Sequence, residues 1–228
     1  MKFSIIIPAY NEEKTIKKII DKVKRVPYPG KVEIIVVNDG STDKTAQIIK
    51  KIPGIIFINN QENKGKGFAL REGFRRATGD IILIQDADLE YDPQDHLKLI
   101  SALKKYNVDV VYGSRFLKNH PQIRYPLFYW GNIVLSALTK ILYRKSITDM
   151  ETCYKAFRAN ILKTITLKSD RFEFEPEITC KLIKSGYDIA EIPISYKSRS
   201  YREGKKIGIA DGLKAIYVLA RLRILAEL

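Results

Sequence analysis

Short apolar runs alternate with amphipathic stretches through the first half of the chain. Phe3–Ile7, Val32–Val37, Ile55–Ile58, Ile81–Ile84 and Val108–Tyr112 read as strands. Their apolar residues are nearly unbroken, the pattern of strands buried on both faces of a parallel sheet. Between them, helical periodicity appears near 13–25, after the Asn38–Asp43 loop, up to about Ala77, and near 93–105. Alternation of this kind predicts an α/β sheet with crossover helices. The second half changes character. An apolar helix is expected near 126–143, another opening near Glu175-Pro176-Glu177, a strand at Ile189–Tyr196 and a terminal amphipathic helix at about 208–226. No internal repeat is present. The expectation is one domain, with its functional boundary near residue 113: a first half 1–113, a second 114–210 and the helix 211–228.

Each chemistry-bearing cluster comes directly after a strand. Pro8-Ala9-Tyr10-Asn11-Glu12 is placed after the first, Asn38-Asp39-Gly40-Ser41 after the second and Asn63-Lys64-Gly65-Lys66-Gly67 after the third. Asp86-Ala87-Asp88 with Glu90 comes after the fourth, and Gly113-Ser114-Arg115 ends the fifth. Loops at the carboxyl ends of parallel strands share one sheet edge, where open α/β sheets bind ligands, so these clusters should converge. Carboxylates on alternate residues are hard ligands suited to Mg²⁺ or Mn²⁺. Taken alone, an Asp-x-Asp is more often an acidic turn. Asp39 is suited to accept from a nucleobase N–H and Glu12 to reach ribose hydroxyls. Asp39 equally suits a helix N-cap.

Composition narrows the classes. The 228 residues carry 40 Lys and Arg against 26 Asp and Glu, a formal charge of +14. Such an excess points to a polyanionic partner or to a Lys-rich solvated surface. Nucleic acid is the distant alternative: the basic residues scatter over predicted helices and no binding module appears, so no nucleic-acid partner is expected. Cys153 and Cys180 have no metal-ligand spacing, which suggests a reduced, cytoplasmic protein. The chain opens directly on a strand, and its longest apolar stretch, Tyr129–Tyr143, is interrupted by Asn132, Ser136, Thr139 and Lys140. A protein that touches a membrane peripherally without spanning it is expected. A dinucleotide fold is excluded because no G-x-G-x-x-G comes after the first strand and Leu70 stands where a third glycine is needed after Gly65 and Gly67.

The four ordered motifs from Pro8 to Asp88 resemble the nucleotide-sugar half of GT-A-fold family 2 glycosyltransferases. Gly113-Ser114-Arg115, Thr148-Asp149-Met150 with Cys153-Tyr154-Lys155, and Tyr201–Ile207 resemble the dolichyl-phosphate mannose synthase-like, polyprenyl-phosphate branch. The resemblance covers nearly the whole chain. It implies a GT-A-type mostly parallel sheet flanked by helices, and a metal-dependent inverting transferase. The donor would be GDP-mannose or a UDP-hexose and the acceptor a polyprenyl (dolichyl-type) phosphate. Pro8, Tyr10, Glu12, Asp39, Lys66 and Asp86 would bind the donor, and Asp86, Asp88 and Glu90 would hold Mg²⁺ or Mn²⁺ and the diphosphate. Many relatives carry Gln where this chain has Glu90. Asp88, Arg115, Asp149 and Arg202 would serve catalysis. Arg115, Arg124 and Arg202, with Lys205 and Lys206, would hold the acceptor phosphate, since guanidinium groups bind phosphate oxygens in pairs. Asp149 would orient the acceptor, act as a base, or cap an element. A same-fold alternative transfers sugar to a glycan or protein hydroxyl, which needs a general base.

Overall fold

The computed structural model describes residues 1–117, 126–200 and 208–225. Its strands are β1 (Lys2–Ala9), β2 (Lys31–Asp39), β3 (Ile56–Asn60), β4 (Ile81–Ile84), β5 (Val110–Ser114), β6 (Lys155–Arg158) and β7 (Ile189–Pro193). They form a seven-stranded sheet in the order β3-β2-β1-β4-β6-β5-β7. Every pairing is parallel except those of β6, which runs antiparallel to both β4 and β5. The mostly parallel sheet is as expected; β6 is an addition. Its four residues, Lys-Ala-Phe-Arg, are too short and too charged to read as a strand. They pair because they fill the gap between β4 and β5, with Phe157 opposite Ile82 and Val110.

The helices are α1 (Ile16–Arg25), α2 (Thr45–Lys50), α3 (Lys66–Arg76), α4 (Asp95–Lys105), α5 (Pro126–Tyr143), α6 (Phe174–Lys184) and α7 (Ile209–Ile224), with a 3-10 turn at Ala159–Lys163. The unbroken apolar run of β2 reflects burial on both faces. Ile34 and Val36 join the cluster containing Ile16, Ile19, Ile20 and Val23 of α1, while Ile35 and Val37 pack with Ala69 of α3. Each fully buried Ile or Val contributes about 1.5–3 kcal/mol. From β1 the chain moves outward through β2 and β3, then crosses back to β4 on the other flank of β1. That reversal opens a crevice at the carboxyl ends of β1 and β4.

Two C-terminal helices border this crevice. On α7, Ala215, Leu219 and Leu222 are buried, and Lys184 Nζ donates to the Leu222 carbonyl at 3.0 Å. Helix α5 is patterned against the usual sense. Asn132, Ser136 and Thr139 lie on its buried face, where Ser136 Oγ donates to the Thr148 carbonyl and Thr139 Oγ1 to that of Leu135. Its exposed face carries Leu127, Trp130, Val134 and Ile141. These three polar residues, which interrupt the segment in sequence, are therefore the inward ones. Among the described residues, no helix is long and apolar enough to cross a membrane.

Candidate functional site

Loops at the carboxyl ends of the strands supply most of the site. Beyond β1, Glu12 is buried; its backbone N–H donates to Thr45 Oγ1 and its Oε2 accepts from Thr15 Oγ1. At the end of β2, Asp39 is buried with its carboxylate fully engaged. It accepts from Gly65 N at 2.7 Å, Asn63 Nδ2 at 2.9 Å and Lys64 N at 3.1 Å. Asp39 thus pins the 63–65 loop; it does not cap α2, whose first residue Thr45 donates to Asp43 Oδ1. Gly65 has φ +113°, and a Cβ there would lie 2.4 Å from the Asp170 carbonyl oxygen. Only glycine can aim that N–H at Asp39.

Beyond β4, the turn through Asp88 and Glu90 includes Leu89 at φ +65°, a left-handed conformation uncommon for a bulky residue and frequent at functional sites. Glu90 N donates to Asp88 Oδ1 at 3.1 Å. Burial, with the neighbouring Asp86 and Glu90 carboxylates, pushes Asp88 up to about 7. Burial also acts to raise Asp86, but the Lys66 ammonium, a Cys153 hydrogen bond and the Arg199 cation hold it below the usual range.

Two cations meet these carboxylates, and a third is held by Asp149. Lys66 Nζ lies 3.0 Å from Asp86 Oδ1 and 3.1 Å from Glu175 Oε1. Arg199 Nη1 lies 3.0 Å from Glu12 Oε1 and its Nη2 3.3 Å from Asp88 Oδ2. Arg115 is gripped by Asp149: Nε to Oδ2 and Nη2 to Oδ1, each 2.7 Å, with Arg115 N to Oδ2 at 2.9 Å. Asp149 is wholly buried. Asp149, expected to orient the acceptor, act as a base or cap an element, has both carboxylate oxygens on the Arg115 guanidinium. Arg124, Arg202, Lys205 and Lys206 lie outside the described residues.

One cavity of about 660 Å³ joins the parts. Pro8, Tyr10, Glu12, Asp39, Lys66, Asp86, Asp88, Glu90 and Arg115 all line it; Asp149 does not. Sequence reasoning missed Glu175, Arg199 and Tyr196 as lining residues, as well as Leu127, Trp130, Val134, Leu213 and Ile216 from α5 and α7. Arg199 had one available signal, its place in the same basic stretch as Arg202. Glu175 had none, because a Glu in the first turn of a helix is ordinary.

The donor set fits a hard divalent cation. Asp86 and Asp88 offer oxygens on alternate residues, and both line the cavity. Among the described residues, however, no three His, Cys, Asp or Glu side chains form a ready cage. Glu90, expected as the third ligand, has its carboxylate taken by Tyr196 Oη at 2.9 Å and Arg199 N at 2.8 Å. Two carboxylates completed by substrate phosphates is the common arrangement for Mg²⁺.

Comparison with known proteins gives the family and the fold. The chain matches the model of "Glycosyl transferase family 2" over residues 4–166. It is 31% identical to a UDP-N-acetylglucosamine–dolichyl-phosphate N-acetylglucosaminyltransferase of Methanococcus voltae, covering 96% of this chain and 95% of that protein. It is 32% identical to a dolichol-phosphate mannosyltransferase of Pyrococcus furiosus, covering 97% of this chain and 64% of the relative. Among solved structures, glucosyl-3-phosphoglycerate synthase of Mycobacterium tuberculosis, in complex with Mn²⁺, UDP and glucosyl-3-phosphoglycerate, superposes with a TM-score of 0.77 at 20% identity. That match covers 99% of this chain and 81% of the synthase and speaks to the fold.

Proposed function

Because this chain belongs to glycosyl transferase family 2 and is a glycosyltransferase, we propose that it moves a sugar from a nucleotide donor to a polyprenyl phosphate, with inversion. The observation that carries this reading is the continuity of the cleft. One cavity is lined by the acidic Asp86 and Asp88, by Arg115, and by the apolar side chains of Leu127, Trp130, Val134, Leu213 and Ile216. A phosphate and a lipid tail need those two surfaces side by side. The names of the Methanococcus and Pyrococcus relatives support the same acceptor class.

A divalent cation held by Asp86 and Asp88 would neutralise charge on the departing diphosphate. The loop pinned by Asp39 shapes the nucleoside end. Arg115, rigidly oriented by Asp149, offers its guanidinium to the acceptor phosphate. The acceptor oxygen forms the new bond to the anomeric carbon as the bond to diphosphate breaks. No proton need be removed, since a phosphate monoester with a second pKa near ~6 is already mostly dianionic. The hydroxyl-acceptor alternative requires a base, and Asp149 is engaged elsewhere.

The exposed apolar residues of α5 and α7, some of which also line the mouth of the cavity, support peripheral membrane contact. Trp130 is 63% exposed, Leu213 65% and Tyr217 63%, with Lys214, Arg221 and Arg223 on the same terminal helix. An apolar outer face flanked by cations suits the headgroup region of an anionic bilayer.

The test is transfer of radiolabel from a panel of GDP- and UDP-sugars to a short polyprenyl phosphate. Asp88→Ala should abolish transfer and Asp86→Ala nearly so, on the order of 10³-fold or more. EDTA should do likewise, with Mn²⁺ or Mg²⁺ restoring activity. Full activity in EDTA would remove the metal; labelling of a hydroxyl acceptor alone would leave only the donor half standing.

A further inference from the structure

Four side chains form a row of alternating charge that starts in the core and ends in the cleft. Lys155 of β6 is wholly buried. Its ammonium donates to the Met150 carbonyl at 3.1 Å, to the Thr152 carbonyl and to Glu175 Oε2. Glu175, in the first turn of α6, is 2% exposed, and its other oxygen lies 3.1 Å from Lys66 Nζ. Lys66 then meets Asp86 Oδ1 at 3.0 Å. Both Lys66 and Asp86 line the cavity.

As a stabilising device this row is poorly chosen. Buried ion pairs are frequently matched or bettered by apolar residues of equal volume. Lys66 is moreover the first residue of α3, where the helix dipole disfavours a cation. A row that sets its second cation against the helix dipole, yet delivers it to the cleft, has a use there. We infer that Glu175, itself fixed by Lys155, is a positioning residue that holds the Lys66 ammonium in place as a protein-borne cation for the leaving diphosphate. The inference rests on the donor reading of this cleft.

The physical need for Glu175 arises at Asp86. Lysine is a point charge on a flexible four-carbon stem. Asp86 and Glu175 hold its ammonium from two sides. Once Asp86 takes a divalent cation, its attraction for Lys66 is largely spent and the incoming ion repels the ammonium. Glu175 is then the contact that keeps Lys66 at the cleft wall. Its far oxygen is held by Lys155.

A double-mutant cycle tests this, with sugar turnover and nucleotide affinity as separate readouts. Glu175→Gln should lower kcat about tenfold or more and, because it leaves the buried Lys155 without its carboxylate, lower the melting temperature as well. In a Lys66→Met background the same substitution should lower kcat by less than about twofold further, because its effect runs through Lys66. By calorimetry in Mg²⁺, each single variant should narrow the preference for UDP over UMP, or for GDP over GMP, since the second phosphate is what the ammonium meets. If Glu175→Gln folds poorly, the Lys155→Met/Glu175→Leu pair, which leaves no orphan charge, enters the cycle in its place. Equal slowing with and without Lys66, or an unchanged diphosphate preference, overturns the inference while the donor reading stands. A wild type that binds neither UDP nor GDP overturns the donor reading, and the inference with it.

Discussion

The guanidinium of Arg199 lies 3.0 Å from Glu12 Oε1, joining residues 187 positions apart in the chain. The same group reaches Asp88 at 3.3 Å, and its backbone N–H donates to Glu90. Arg199 therefore sits among the carboxylates of the donor site. Burial acts against its charge, but Asp88 and Glu12 overcome that and raise its pKa further.

Removing this cation should strengthen divalent binding. Arg199→Ala is expected to tighten Mn²⁺ affinity roughly tenfold, equivalent to about 1.4 kcal/mol of relieved repulsion. Titration of free Mn²⁺ by electron paramagnetic resonance, without donor, measures it. Unchanged affinity would mean that Arg199 and the ion do not share the Asp88 region.

Asp39→Asn should both lower stability and raise donor KM. One carboxylate accepts from Gly65, Lys64 and Asn63; an amide turns its NH₂ against some of those donors. Leaving a buried donor unsatisfied costs about 1–3 kcal/mol. Thermal melting and donor KM on one sample check this. A raised KM with unaltered melting temperature would show that Asp39 acts on the nucleobase alone and that the loop tolerates its loss.

Asp149→Asn separates an anchor from a base. Breaking a buried charged pair destabilises by about 3–5 kcal/mol, and a freed Arg115 should raise acceptor KM. A catalytic base would instead lose kcat with melting temperature intact. The two profiles do not overlap.

His96 predicts the acid side of the stability curve. It is fully buried, with Nδ1 2.7 Å from Tyr28 Oη. Burial pushes its pKa down to about 3. Between pH 6.5 and 3 the unfolded chain binds a proton there that the native protein does not, so stability falls as pH falls through this window. The slope approaches about 1.4 kcal/mol per pH unit well below pH 6.5, which amounts to roughly 1.6 kcal/mol between about pH 6.5 and 5. Denaturant unfolding of wild type and His96→Gln at these pH values should show the variant flatter. Equal slopes would assign the loss to other groups.

Much of this was legible in the chain. The runs at Phe3–Ile7 and Ile81–Ile84 named buried parallel strands, because nothing but two covered faces accommodates unbroken aliphatic residues. Motifs directly after those strands had to share an edge, and Tyr10, Asp39 and Asp86 do line one cleft. The local pattern also located α5 at 126–143, matching Pro126–Tyr143.

What only the tertiary structure decided are the partners of charged groups. In sequence nothing names the partners of Asp149, Glu90 and Glu175. In the fold one grips Arg115, one is taken by Tyr196 and Arg199, and one steadies Lys66. Hydrophobic burial has a period, so it is written in local sequence. A Coulombic contact has none: it depends on which distant residue the folded chain brings within about 4 Å. The outward apolar face of α5 belongs to the same class, since its direction is fixed by Thr148 accepting from Ser136 across the packed interior.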